Sequence, residues 1–231
     1  MSVVERGFQG FVGQYRHLSV ALLVVSNVIP LIGVFAWGWD VAAILILYWS
    51  ENLILGFLTI VKMIVNAPFG GIFASAFFLV HYGGFCGMHG FFVLAMTVGD
   101  MGDAVGGDPW PLWLVFVQIL VNVVEQVLAI APAEWIIAFA ALFVSHTLSL
   151  ITNYFGRGEY RDQTTNSLMM APYKRMVVLH VAIIFGGWGV MLLGSPVWLL
   201  IVLIALKIGI DVHTHLKEHG ILKDTPAGES A

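Results

Sequence analysis

The chain has 231 residues, 59% of them hydrophobic and only 10% charged, with a formal net charge of −4 and a mean hydropathy of +0.92. A soluble domain carries about 25% charged residues, so this chain cannot cover a water-facing surface of its size, and a soluble enzyme is excluded. The acidic balance and the lack of a basic stripe exclude nucleic-acid binding as well.

What remains is an all-α, polytopic transmembrane helical bundle. A crossing helix needs about 20 mostly apolar residues. In chain order the apolar segments are 17–37, 40–66, 69–98, 110–130, 133–155, 173–193 and 196–215. The motif Trp37-Gly-Trp-Asp40 reads as an aromatic turn at the membrane interface, and Asn66-Ala-Pro68 and Gly194-Ser-Pro196 as tight turns. A Gly/Asp-rich stretch covers 100–109, and 156–172 is the long polar connection. Arg6 and Arg16 precede an apolar run without a small-residue cleavage pattern, so the first segment is expected to be an uncleaved span. The expected organisation is one transmembrane domain over 1–216 with a short polar tail over 217–231.

Charge placement bears on the number of crossings. Arg6, Arg16, Lys62, Arg157, Arg161, Lys174, Arg175, Lys217 and Lys223 fall into clusters, whereas Asp100, Asp103 and Asp108 share a loop free of Lys and Arg. Basic loops face the cytoplasm, and every basic cluster does so if the fourth segment does not cross. Gln118, Asn122, Glu125 and Gln126 give that segment a polar face at helical spacing. Six crossings plus one interfacial or re-entrant helix is therefore expected, and seven crossings is the alternative. The bacterial inner membrane is the expected location and its lipids the expected partners; an oligomer stays open.

Ionisable residues inside a membrane are costly and face the bundle interior. Glu51, His81 and His146 fall near the middles of the second, third and fifth segments, at one depth. Imidazole and carboxylate suit a divalent metal such as zinc or iron, so these three form the candidate metal site. Asn153, His180, Asp211 and His215 form a second polar cluster nearer the cytoplasmic surface. Asp211 and His215 lie one helical turn apart, with His213 pointing away. Arg157, Arg161 and Arg175 are placed to meet anionic headgroups. Each lone histidine also reads as an inter-helix hydrogen-bond partner. Gly83 and Gly87 make a small-xxx-small pair for close helix approach, and Cys86 reads as packing.

Several motifs combine in a recognisable way: Trp49-Ser-Glu-Asn52, Ser145-His146, Asn153-Tyr-Phe with Glu159-Tyr-Arg161, Pro172-Tyr-Lys-Arg175 with Leu179-His180, and Lys207, Asp211 and His215-Leu-Lys-Glu218. In these the chain resembles a bacterial multi-pass integral-membrane family catalogued only as a domain of unknown function. The resemblance covers most of the chain and implies no activity, cofactor or catalytic residue. The leading expectation is a metal-binding membrane protein, with Glu51, His81 and His146 activating water toward a lipid or other apolar substrate. The alternatives are a proton- or ion-coupled transporter using the same residues, a b-type haem protein through His81 and His146, and a structural membrane subunit.

Overall fold

In the computed structural model the described residues are 28–99, 106–156 and 158–218, and the side chains of 133, 134, 153 and 211–218 lie outside that description. The described chain is helical: α1 (Val28–Trp37), α2 (Val41–Asn66), α3 (Pro68–Thr97), α4 (Leu114–Ile130), α5 (Ala133–Ser149), α6 (Thr165–Leu193) and α7 (Val197–Glu218). Contacts divide it into two units, Asp40–Leu200 and the combination of Met1–Trp39 with Ile201–Ala231. Every site contact described below lies inside the first. Four helical stretches, in α2, α3, α5 with its continuation, and α6, are long and apolar enough to cross a membrane. The outward faces are apolar, with Phe69 88% and Leu192 83% exposed, as lipid contact requires.

The expected turns are present. Gly38 takes a left-handed φ of 68°, and the Asp40 carboxylate caps α2 by accepting from the Ala42 amide at 2.7 Å. Pro68 occupies the first turn of α3, where its missing amide costs nothing. Gly194 closes α6 in the left-handed conformation.

Two segments depart from the sequence expectation. The sixth helix begins at Thr165 rather than 173, because Thr164 and Ser167 form a capping box: the Thr164 Oγ1 accepts from the Ser167 amide at 3.1 Å. Pro172, Met169 and Met170, read as loop residues, therefore lie within α6. The fifth span continues past Ser149 as a π-helical stretch, Leu150–Phe155, where the Gly156 amide reaches the Ile151 carbonyl at 2.9 Å. That extra residue in the turn carries Tyr154 inward to 1% exposure.

Lipid tails offer no hydrophobic gain for helix association, so close packing and hydrogen bonds hold these helices together. The α2–α3 seam shows both. Trp49 Nε1 donates to the Cys86 carbonyl at 2.8 Å, and the Tyr82 hydroxyl donates to the Asn52 carbonyl at 3.1 Å. A Cβ on Gly90 would stand 2.5 Å from the Trp49 ring, so only glycine admits the indole there. At Gly87 a Cβ would meet the Leu120 backbone nitrogen at 2.8 Å, which fixes α4 against the middle of α3. Cys86 is buried packing in this seam.

Contacts also set the helix directions. His81 meets Tyr173 and His89 meets His180, so α3 and α6 run the same way. Glu51 meets His146 and Lys62 meets Tyr154, so α2 and α5 run the same way. Because α2 and α3 form an antiparallel hairpin, the end of α3 and the start of α5 lie at one end of the unit. Helix α4 has 17 residues, about 25 Å at 1.5 Å per residue. Its polar face holds the preceding loop: Gln118 Nε2 donates to the Asp108 carbonyl at 2.9 Å, and Asn122 Nδ2 to the Gly106 carbonyl at 3.0 Å.

Candidate functional site

The sequence Tyr48-Trp-Ser-Glu-Asn52 turns alternate side chains of α2 toward different neighbours. Trp49 and Asn52 face α3 and lock the helix there, which leaves Glu51 on the face met by α5 and α6. Ser50 Oγ donates to the Leu47 carbonyl at 2.8 Å and Asn52 Nδ2 to the Trp49 carbonyl at 3.0 Å. The polar groups beside Glu51 thus turn back onto their own helix.

Glu51 is bound on both oxygens. Its Oε1 lies 3.0 Å from His146 Nε2, and its Oε2 accepts from Arg175 Nη2. The carboxylate side chain is only 14% exposed. Arginine stays protonated in proteins, and the Arg175 guanidinium and the Glu51 carboxylate form a salt bridge. An ionised carboxylate only accepts, so His146 carries its hydrogen on Nε2. The lone pair then sits on His146 Nδ1, which has no partner among the described residues. His146 also lines a polar cavity of about 150 Å³ with Thr59, Lys62, Ser149, Tyr154 and Glu159. The Lys62 ammonium lies 5.0 Å from the centre of the Tyr154 ring.

His81 does not join this group. Its Nδ1 lies 2.7 Å from the Tyr173 hydroxyl, and its ring stacks on Phe77 at 5.2 Å. Tyr173 and Arg175 are two residues apart on α6, so His81 and Glu51 do share a depth. They meet different sides of α6, because two residues along a helix turn through about 200°. The expected metal set of Glu51, His81 and His146 is therefore divided into a pair and a single histidine. Among the described residues, no group of three or more His, Cys, Asp or Glu is placed to hold a metal ion.

Among the described residues His180 meets His89: His89 Nε2 and His180 Nδ1 are 3.0 Å apart. With α6 starting at Thr165, His180 stands at mid-helix, away from the level of Tyr154 and Lys62. The Asn153, Asp211 and His215 side chains and Arg157 lie outside the described residues. Arg161 is 5.6 Å from the centre of the Tyr160 ring. Arg175, expected to meet headgroups, is the counter-ion of Glu51. The signal missed in the sequence is the Thr164-Thr-Asn-Ser167 cap, which starts α6 eight residues before Tyr173 and so places Arg175 well inside the helix, where it meets a carboxylate.

A model described as a family of unknown function (DUF6498) matches residues 12–227 of the chain. The chain belongs to that family. No curated protein and no solved structure matches it. In this DUF6498 member, function has to be argued from the Glu51 centre and the helices that build it.

Proposed function

We propose that this chain is a six-crossing membrane protein whose Glu51–His146–Arg175 centre binds and releases a proton during proton-coupled transport. The observation that carries the reading is the division of labour around one carboxylate. Arg175 is a fixed charge, whereas His146 keeps one ring nitrogen, Nδ1, outside the contact with Glu51. A proton arriving at His146 Nδ1 makes an imidazolium that Glu51 stabilises without either group moving. The polar cavity that His146 lines with Lys62 is large enough for a few waters and supports an approach to the ring from the Lys62 end of α2. The proton is then exchanged between the cavity and a centre shared by three helices, the arrangement a coupled carrier needs.

Support for six crossings comes from the opposite directions of α3 and α5, which leave α4 as a helix that enters and returns. The basic residues Lys62 and Arg161 then lie toward one face, read as cytoplasmic, and Asp108 toward the other. In a Cys86→Ser background, cysteines placed at Gly158 and Asp108 are expected to label from opposite faces. Labelling from one face breaks the topology.

Proteoliposomes holding a trapped pH dye test the activity. Under an imposed potassium diffusion potential they are expected to take up protons, with flux abolished by Glu51→Gln and slowed at least tenfold by His146→Gln. Flux no faster than in protein-free vesicles, or undiminished in Glu51→Gln, defeats the reading.

A further inference from the structure

A second polar device stands apart from the Glu51 centre, and its hydrogen positions follow from one carbonyl. His89 Nδ1 lies 2.6 Å from the Phe85 backbone oxygen. A carbonyl only accepts, so the hydrogen is on His89 Nδ1. In the neutral ring Nε2 then carries the lone pair. That lone pair faces His180 Nδ1 at 3.0 Å, so His180 donates from Nδ1 and its own lone pair is on Nε2. Two imidazoles thus relay the acceptor character of one backbone carbonyl outward, from a His89 only 4% exposed to an exposed His180. His180 Nε2 has no partner among the described residues.

His89 and His180 line a cavity of about 700 Å³ whose other walls include Phe85, Phe92, Trp188 and Met191. That volume lies within the range of small-molecule sites. Among the described residues that line it none is Asp, Glu, Lys or Arg, so a charged headgroup would be desolvated there without a counter-ion from them. The aromatic walls favour a flat ring through offset or edge-on contact. The imidazole acceptor favours a ring that donates a hydrogen bond.

We propose that the His89–His180 pair anchors a lipid-soluble aromatic hydroxyl compound of the quinol class, whose hydroxyl donates to His180 Nε2 while its ring and tail occupy the cavity. The site binds without any redox step, and it does not rest on the proton-coupled reading of Glu51. One proton added to the pair would place a hydrogen on His180 Nε2, so the same atom would then face the oxidised, carbonyl-bearing partner as a donor.

The test uses full-length protein in lipid nanodiscs with pre-reduced decylubiquinol kept under argon. Bound quinol is counted after separation, against empty nanodiscs to remove simple partitioning. The expected result is saturable binding near one per chain. It should weaken at least tenfold in His180→Ala, persist in His180→Gln, whose amide oxygen keeps an acceptor, and be unchanged in His81→Ala. The dimethyl ether of the same quinol, which has no hydroxyl, should bind at least tenfold more weakly. Binding equal to empty nanodiscs, or unaltered by His180→Ala, overturns the proposal. Equal binding of the ether, or tighter binding of oleate than of quinol, overturns the assignment of ligand class. Thermal unfolding of each variant identifies any that misfold, and His180→Gln preserves the comparison if His180→Ala does.

Discussion

Helix α6 makes two polar contacts only five residues apart, and they are electrically opposite. Arg175 enters the α2–α5 side and is neutralised by Glu51, whereas His180 enters the α3 side and meets another neutral ring. A charge withdrawn from water needs an opposite charge held in good geometry, so the first contact holds its partners in one arrangement. A pair of neutral imidazoles needs only complementary hydrogen positions. The second contact therefore leaves a lone pair unspent on the protein. The charged seam specifies structure strongly, while the imidazole seam has capacity for a ligand.

The largest expected effect comes from breaking the charged seam. Arg175→Met leaves Glu51 without its cation and should destabilise the protein by about 3–5 kcal/mol, measured as thermal unfolding in one detergent. The Arg175→Met/Glu51→Gln double variant should recover most of that loss, because no charge is then left uncompensated. A double variant as unstable as the single one would mean that Arg175 acts through packing alone.

Gly90 stands next to His89, and Trp49 stands two residues before Glu51, so the Gly90–Trp49 contact links both regions. Gly90→Ala forces the indole aside and should cost about 1–3 kcal/mol, as overpacking does. It should also shift the indole N–H resonance of Trp49, whose bond to the Cys86 carbonyl would be disturbed by the displaced ring. A shift without loss of stability would show that the α2–α3 seam relaxes freely.

Removing the cap that starts α6 sharpens the same comparison from a distance. Thr164→Ala should cost about 1 kcal/mol and fray the first turn, with faster amide exchange at Thr165–Ser167 and little change at His180. The smallest effect is expected at the neutral seam itself: His180→Ala should cost about 0.6 kcal/mol, the average for a hydrogen bond between membrane helices. A loss approaching that of Arg175→Met would erase the distinction between the two seams.

Much of the architecture was legible before any coordinates. The 59% apolar content, the segment lengths and the turn motifs at Asp40, Pro68 and Gly194 dictated a helical membrane bundle, since backbone polar groups in lipid must be satisfied within each segment. The shared depth of Glu51, His81 and His146 was also readable, because position along a helix advances by a fixed 1.5 Å per residue. Local chemistry misled at two places. Pro172 looked like a helix boundary although the Thr164 cap lay upstream, and the π stretch after Ser149 carries no strong sequence mark.

Only the tertiary structure decided which neighbour each polar side chain meets. Residue spacing fixes the angle between two side chains on one helix, but not the rotation of that helix against another. That rotation is set by where small residues let backbones approach, as Gly87 does for α4 and Gly90 for Trp49. It turned Glu51 toward His146 and Arg175, gave His81 to Tyr173, and brought His89 and His180 together. The sequence determined the depth of these groups along their helices, and helix packing determined that they meet as an ion-paired centre and a separate imidazole pair.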